Sequence, residues 1–278
     1  MLIARTLPEL RAACTRLRST AGSLALVATM GALHAGHITL LRTAIASGAA
    51  AVASIFVNPL QFGPNEDLSQ YPREEARDLA ALEAAGCALA WVPDVETMYP
   101  PGEATSVLVG GPAERWEGDA RPGHFRGVAT VCAKLFGQVR PERTYFGEKD
   151  WQQLQVVKRM ISDLLLPLEV VGVETVREAD GLAMSSRNRF LTPPECAVAP
   201  VLYATLQRTA QELAGGAPVA ETLMGGREAL GRDGLRVEYL ALVDGSNLVP
   251  IDAVLPGARL IAAARLGTVR LLDNIAIV

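Results

Sequence analysis

Histidine is scarce in this chain: its 278 residues hold three. Cysteine is nearly as rare, with four residues scattered as Cys14, Cys87, Cys132 and Cys196, and no two form a Cys-x-x-Cys pair. That spacing gives no support to a zinc site or a dithiol redox centre. Each cysteine lies among alanines, valines or leucines, which reads as buried, reduced thiols in a cytoplasmic protein. No apolar run approaches the ~18 residues of a membrane-spanning helix, so no membrane association is expected. The segment Met1 to Pro8 has no basic head leading into a long apolar stretch, so no export signal is expected either. Basic charge is not in excess: 26 Lys and Arg against 30 Asp and Glu leave −4. A global field for nucleic acid is thereby excluded, and only a local basic cleft could form. Repeats and low-complexity tracts are also lacking.

What the chain has is apolar residues in quantity, 50% of the total, enough for a sizeable core in one large domain or two smaller ones. Strand-like runs at 24–29, 51–57, 88–92, 144–147 and 168–175 alternate with helical periodicity at 7–18, 37–47, 73–85, 125–138 and 151–163. The runs are continuously apolar, as strands buried on both faces are, which points to a parallel sheet covered by helices. Past residue 176 a polar loop leads to helical patterns near 194–214 and 218–231, then to strand-like runs at 236–243, 259–264 and 268–277. The expected fold is α/β. A Rossmann-like, doubly wound parallel sheet occupies residues 1–175, and a smaller α+β domain occupies 176–278.

Two of the three histidines stand in Met30-Gly31-Ala32-Leu33-His34-Ala35-Gly36-His37, between a buried strand and a helix. Backbone N–H groups at a helix start favour anions, and glycines let a ligand approach the backbone. Two imidazoles without a third ligand do not make a metal site. They either cap the helix locally or donate to phosphate oxygens. Asn58-Pro59-Leu60-Gln61-Phe62-Gly63 is a turn in which Gln61 offers a donor and an acceptor, suited to a hydroxyl or carboxylate. In Phe146-Gly147-Glu148-Lys149-Asp150, Lys149 is a point charge for phosphate, and Asp150 is either a helix cap or a partner for a ribose hydroxyl. Gln153 lies one turn further on. Met184-Ser185-Ser186-Arg187 is either a solvated loop or a wrap for polyphosphate. His124 ends a basic loop at another helix start.

Taken together, Thr29 to His37, Asn58 to Phe62, His124 to Val128, Phe146 to Asp150 and Met184 to Asn188 occur in the order of one family's motifs. The chain resembles the pantothenate synthetases, the pantoate–β-alanine ligases of the wider H-x-G-H nucleotidylyltransferase superfamily. Tyr239 to Asp244 and Ala264 to Gly267 extend the likeness to nearly the whole chain. One departure is Ala28, where the family usually has proline.

The resemblance implies condensation of pantoate with β-alanine, with ATP split to AMP and pyrophosphate through pantoyl adenylate and Mg²⁺ carried mainly on the ATP phosphates. It implies catalytic roles for His34, His37, Lys149, Ser185, Ser186 and Arg187. ATP would meet these together with Met30, Gly31, Gly36, Gly147, Glu148, Asp150, Val176 and Met184. Pantoate would meet Met30, Gln61 and Gln153. A homodimer, and closure of the Met-Ser-Ser-Arg loop over ATP, also follow from the likeness. Rival readings each lack a feature. A nucleotidylyltransferase for a phosphorylated substrate would want Lys or Arg beside Gln61 and Gln153. A tRNA-binding relative would carry lysines in the loop where this chain has Met184-Ser185-Ser186-Arg187. A catalytically dead regulator would not be expected to keep every polar member of the motifs.

Overall fold

Six strands, β1 (Leu2–Ala4), β2 (Leu24–Thr29), β3 (Ala50–Ile55), β4 (Leu89–Trp91), β5 (Arg143–Gly147) and β6 (Glu169–Val173), form one sheet in the order β1-β4-β3-β2-β5-β6. Every pairing in it is parallel. The computed structural model describes residues 1–64, 66 and 68–277. Strand β1 is absent from the sequence expectation because three residues are too few to show a period. From β2 the order runs to β3, β4 and β1 on one side and to β5 and β6 on the other. The reversal therefore falls between β2 and β5, which pair through Ala25↔Arg143, Leu26↔Thr144 and Val27↔Tyr145. Beyond the carboxyl ends of strands at such a reversal lies the usual ligand crevice of an open α/β sheet.

The helices are α1 (Leu7–Ala21), α2 (Ala35–Ala46), α3 (Glu75–Ala84), α4 (Val95–Met98), α5 (Glu117–Ala120), α6 (His124–Val139) and α7 (Trp151–Asp163). Ala25 and Val27 of β2 share a buried cluster with Leu40, Leu41 and Ala44 of α2 and Leu82 of α3. Alternation turns Leu24 and Leu26 to the opposite face, where α1 and α6 pack on β2. Each buried leucine contributes about 1.5–3 kcal/mol. The sheet is thus rigid where its loops emerge.

The chain divides into two compact units, one of Met1–Glu148 with Gln153–Glu174, the other of Lys149–Gln152 with the chain from Thr175 on. In the second unit, β7 (Arg236–Asp244), β8 (Ala258–Leu266) and β9 (Val269–Ala276) form an antiparallel sheet in that order. Its helices are α8 (Pro193–Val198), α9 (Val201–Ala214) and α10 (Val219–Arg232). Leu202, Leu206 and Leu213 of α9 and Leu230 of α10 pack with Leu240, Leu260 and Leu271 of the sheet. The single helix expected over 194–214 is two helices, because Pro200 has no N–H to carry the ladder from α8 into α9. Cys14, Cys87 and Cys132 are buried as expected, but Cys196 is exposed. It stands on short α8, none of whose residues is fully buried.

Candidate active site

The first part of the site is the turn from β2 into α2. Thr29 closes the strand by donating its hydroxyl to the Ser54 carbonyl at 2.6 Å, so β2 stays in register with β3 through Ala28↔Ser54 without the family's proline. Gly31 and Ala32 then take positive φ, 79° and 51°. This left-handed pair aims the amides of Ala32 and Leu33 at the two oxygens of Asp78 on α3, each at 2.8 Å. Asp78 is only 2% exposed, so both bonds are shielded from water. A side chain at Gly31 would come within 2.9 Å of the same carboxylate.

Next, the Gly36 amide donates to His34 Nδ1 at 3.1 Å, and the His34 amide donates to His37 Nδ1 at 3.3 Å. A backbone N–H can only donate, so in both neutral rings Nδ1 is the acceptor and the hydrogen sits on Nε2. The sequence reading expected open backbone amides for an anion at this turn. Gly31, Ala32, Leu33, His34 and Gly36 instead all give their N–H to protein acceptors.

The second part is the loop after β3. Gln61 Nε2 donates to Met30 Sδ at 2.9 Å, joining the loop to the end of β2. Asn58, 1% exposed, orients Gln61 by donating to its Oε1 at 3.0 Å and to the Gly127 carbonyl at 3.1 Å. Tyr99 donates to Asn58 Oδ1 at 2.7 Å. The start of α6 clamps the same loop. His124 Nδ1 lies 2.9 Å from the Gln61 carbonyl, which can only accept, so here Nδ1 carries the hydrogen. Its Nε2 then accepts from Arg121 at 3.1 Å. Burial, together with the Arg121 charge, holds the His124 ring neutral, its pKa pushed down to about 4. Arg121 completes the clamp with two hydrogen bonds to Glu66, at 2.6 and 2.8 Å. Burial favours a protonated Glu66, but these bonds prevail and keep its carboxyl below the usual range. The His124 ring thus holds the Gln61 backbone in place. Half-buried Gln153 stands on the first turn of α7, Gly147 ends β5, next to β2 in the sheet, and Glu148 opens the 3-10 turn that follows.

The remaining candidate residues lie in the second unit. Lys149 Nζ lies 3.5 Å from Asp150 Oδ1, and the Lys149 carbonyl accepts from Asn274. Arg177 bridges to Ala183, and the Met184 amide donates to the Val176 carbonyl at 3.0 Å, making a short hairpin base. Ser185 then caps a 3-10 turn over Ser186–Phe190, its Oγ accepting from the Arg187 amide at 3.3 Å. The structure therefore gathers Met30, Gly31, His34, Gly36, His37 and Gln61 around one turn. Separately, it places Val176, Met184, Ser185, Ser186 and Arg187 on one hairpin, with Lys149 and Asp150 in the same unit.

A family model for pantoate-beta-alanine ligase matches residues 2–276. The chain belongs to that family. It is an enzyme, a ligase that joins pantoate to β-alanine. Pantothenate synthetase of Acidiphilium cryptum is 58% identical, with 100% of both chains covered, and that of Granulibacter bethesdensis is 57% identical over 99% of this chain and 96% of its own. The crystal structure of pantothenate synthetase from Thermus thermophilus superposes with a TM-score of 0.95 at 50% identity, covering 100% of this chain and 99% of the other. Pantoate-beta-alanine ligase from Francisella tularensis, complexed with β-γ ATP and β-alanine, gives 0.84 at 29% identity over 99% and 97%.

In this pantoate–β-alanine ligase, several residues that organise the site carry no motif. Asp78 is an acid on the buried side of α3, one turn before Leu82. Asp273 and Asn274 are two buried polar residues between the apolar pairs Leu271-Leu272 and Ile275-Ala276 of β9. A carboxylate or amide placed where the period demands an apolar residue was the available signal. Arg121 and Tyr99 gave none, since a loop arginine and a tyrosine look ordinary in sequence.

Proposed function

We propose that the chain joins its substrates in two steps on one bound ATP. A carboxylate oxygen of pantoate attacks the α-phosphorus, the bond from that phosphorus to the bridging oxygen breaks, and pyrophosphate leaves. The amine of β-alanine then attacks the pantoyl carbonyl carbon, forms the amide with loss of a proton, and expels AMP. No side chain becomes covalently attached, so the protein's contribution is positioning and charge stabilisation.

The observation that carries this reading is the pair of Nε2–H donors at His34 and His37, set where the sheet order reverses. Negative charge grows on the phosphate oxygens as the pentavalent phosphorus forms, and donors held by backbone bonds need no reorganisation to meet it. Lys149, Ser185, Ser186 and Arg187 hold the triphosphate. Gly31, Gly36, Gly147, Glu148, Asp150, Val176 and Met184 line the nucleotide. Gln61, oriented by Asn58, binds pantoate with Gln153 and with Met30 as its apolar wall.

Among the described residues no three His, Cys, Asp or Glu are grouped to hold a metal. The donor set fits Mg²⁺ carried by the phosphates that Lys149 and Ser185–Arg187 grip, since this ion commonly keeps substrate phosphates and waters as ligands. When bound it neutralises charge on the triphosphate. We place the enzyme in the cytoplasm as a homodimer, a reading supported by the family resemblance. The test is to incubate the protein with ATP and pantoate and no β-alanine. Pantoyl adenylate and pyrophosphate should accumulate in equal amounts, whereas pyrophosphate release that proceeds without pantoate would refute the scheme.

A further inference from the structure

Lys149 and the hairpin that carries Ser185–Arg187 are fastened to adjacent residues of β9, one to each. Asn274 donates from Nδ2 to the Lys149 carbonyl at 2.9 Å, and its Oδ1 accepts from Arg259 at 2.6 Å. The Arg259 guanidinium lies over the Trp151 ring, 3.4 Å from its centroid, while Trp151 Nε1 donates to the Gly245 carbonyl at 2.6 Å. Lys149 is therefore held from both sides, through its own carbonyl and through the residue two places on. Asp273 grips Arg177 with both oxygens, at 2.6 and 2.9 Å. Arg177 stacks on Tyr203 at 3.5 Å from the ring centre and donates to the Gly181 carbonyl at 3.0 Å. Since Arg177 is also the bridge partner of Ala183, this ion pair fixes the base of the hairpin.

We infer that Asp273 and Asn274 are positioning residues for adenylate formation, one for the serine–arginine hairpin and one for the lysine. The inference rests on the reading that Lys149 and Ser185–Arg187 hold the triphosphate. Successive strand residues point to opposite faces of a sheet. Asp273 accordingly lies on the face shared by Leu271 and the helices, and Asn274 on the face of Arg259. One peptide unit of a paired strand thus joins the two clamps, and neither segment can shift without distorting β9. Stability alone does not call for this arrangement. Well-packed apolar side chains commonly serve a buried strand as well as or better than an ion pair does. Asp273 has 3% of its side chain exposed, so the strand carries a desolvated charge whose partner is the hairpin base.

The test is single-turnover formation of pantoyl adenylate by Asn274→Ala, Asp273→Asn, Lys149→Ala and the double variant Lys149→Ala/Asn274→Ala. Asn274→Ala is expected to slow the step at saturating ATP about tenfold or more and to raise the ATP concentration for half-maximal rate. Its pantoate dependence should stay within twofold of the parent. In the Lys149→Ala background the Asn274 change should add less than twofold, because its effect passes through the ammonium it positions. A merely structural role would affect both substrates and would persist in the double variant. Asp273→Asn should show the same ATP-selective loss; if it does not fold, Asn274→Ala decides alone. If Lys149→Ala is slow but folded Asn274→Ala keeps the parent's ATP dependence, the positioning role falls and the ATP site stands. If Lys149→Ala is itself unimpaired, the ATP site falls and this inference with it.

Discussion

His34 and His37 stand with ring centroids 4.0 Å apart and planes inclined at 41°, each accepting a backbone N–H at Nδ1. The hydrogen bonds run within one helix start, so neither ring can turn over without leaving an amide of its own turn unpaired. Replacing His37 by Ala should leave the fold intact and cut adenylate formation by about two orders of magnitude or more, as loss of a charge-stabilising donor does. Lys149→Ala should behave alike. Pyrophosphate release in a single turnover, beside circular dichroism melting, checks both. An unchanged rate in a folded variant would remove that residue from the mechanism.

Gly127 lies inside α6, where alanine would ordinarily gain about 1 kcal/mol in helix propensity. Here a Cβ would run into the Leu60 carbonyl and come within 2.6 Å of the Gln61 amide nitrogen. Overpacking of that kind costs about 1–3 kcal/mol and outweighs propensity. Gly127→Ala should therefore lower the melting temperature. It should also raise the KM for pantoate several-fold more than that for ATP, because the displaced loop carries Gln61. Equal KM values for parent and variant would detach Gln61 from pantoate.

His124 makes stability depend on acid. Its folded pKa is near 4, below the ordinary imidazole value of 6.5, so the unfolded chain binds the proton more readily. The stabilisation is complete above pH 6.5 and is lost as pH falls toward 4, by on the order of 3 kcal/mol in all. Urea unfolding at a series of pH values should show that slope, and His124→Asn should flatten it. A parent and variant with parallel pH profiles would contradict the assignment.

Thiol reactivity should follow burial. Cys132 has its thiol pushed up to about 12 by burial, and Cys14 and Cys87 are raised for the same reason. Only Cys196 is exposed among the four. A disulfide reagent should consume one thiol in the native protein and four after denaturation, and Cys196→Ser should abolish the native reaction. Fast labelling of two or more native thiols would contradict the packing around α1, β4 or α6.

Most of the sheet was legible because parallel strands buried on both faces, such as β3, are apolar at nearly every position, and α6 and α7 show clear helical periods. The break at Pro200 was overlooked because periodicity continues across it on both sides. Polar motifs at strand ends single out His34, Gln61 and Lys149 as candidate residues in the sequence. The long-range supports stayed hidden. Asp78 answers amides of Ala32 and Leu33, and Asn274 answers a carbonyl of Lys149, across separations that no local pattern records.

By itself the sequence determined which chemistry is present: two imidazoles, an ammonium, two hydroxyls, a guanidinium and two glutamines, at strand ends, on a glycine-bearing loop or, for Gln153, on the first turn of a helix. The folded chain decided how each group is presented, through a local helix start for His34 and His37 and through tertiary packing for His124. His34 and His37 carry their hydrogens on Nε2 and His124 on Nδ1, although all three are the same residue type at the start of a helix. The reason is physical. A ring nitrogen takes whichever role its partner cannot, and the partners are backbone amides in the first two cases and a carbonyl brought in by another loop in the third.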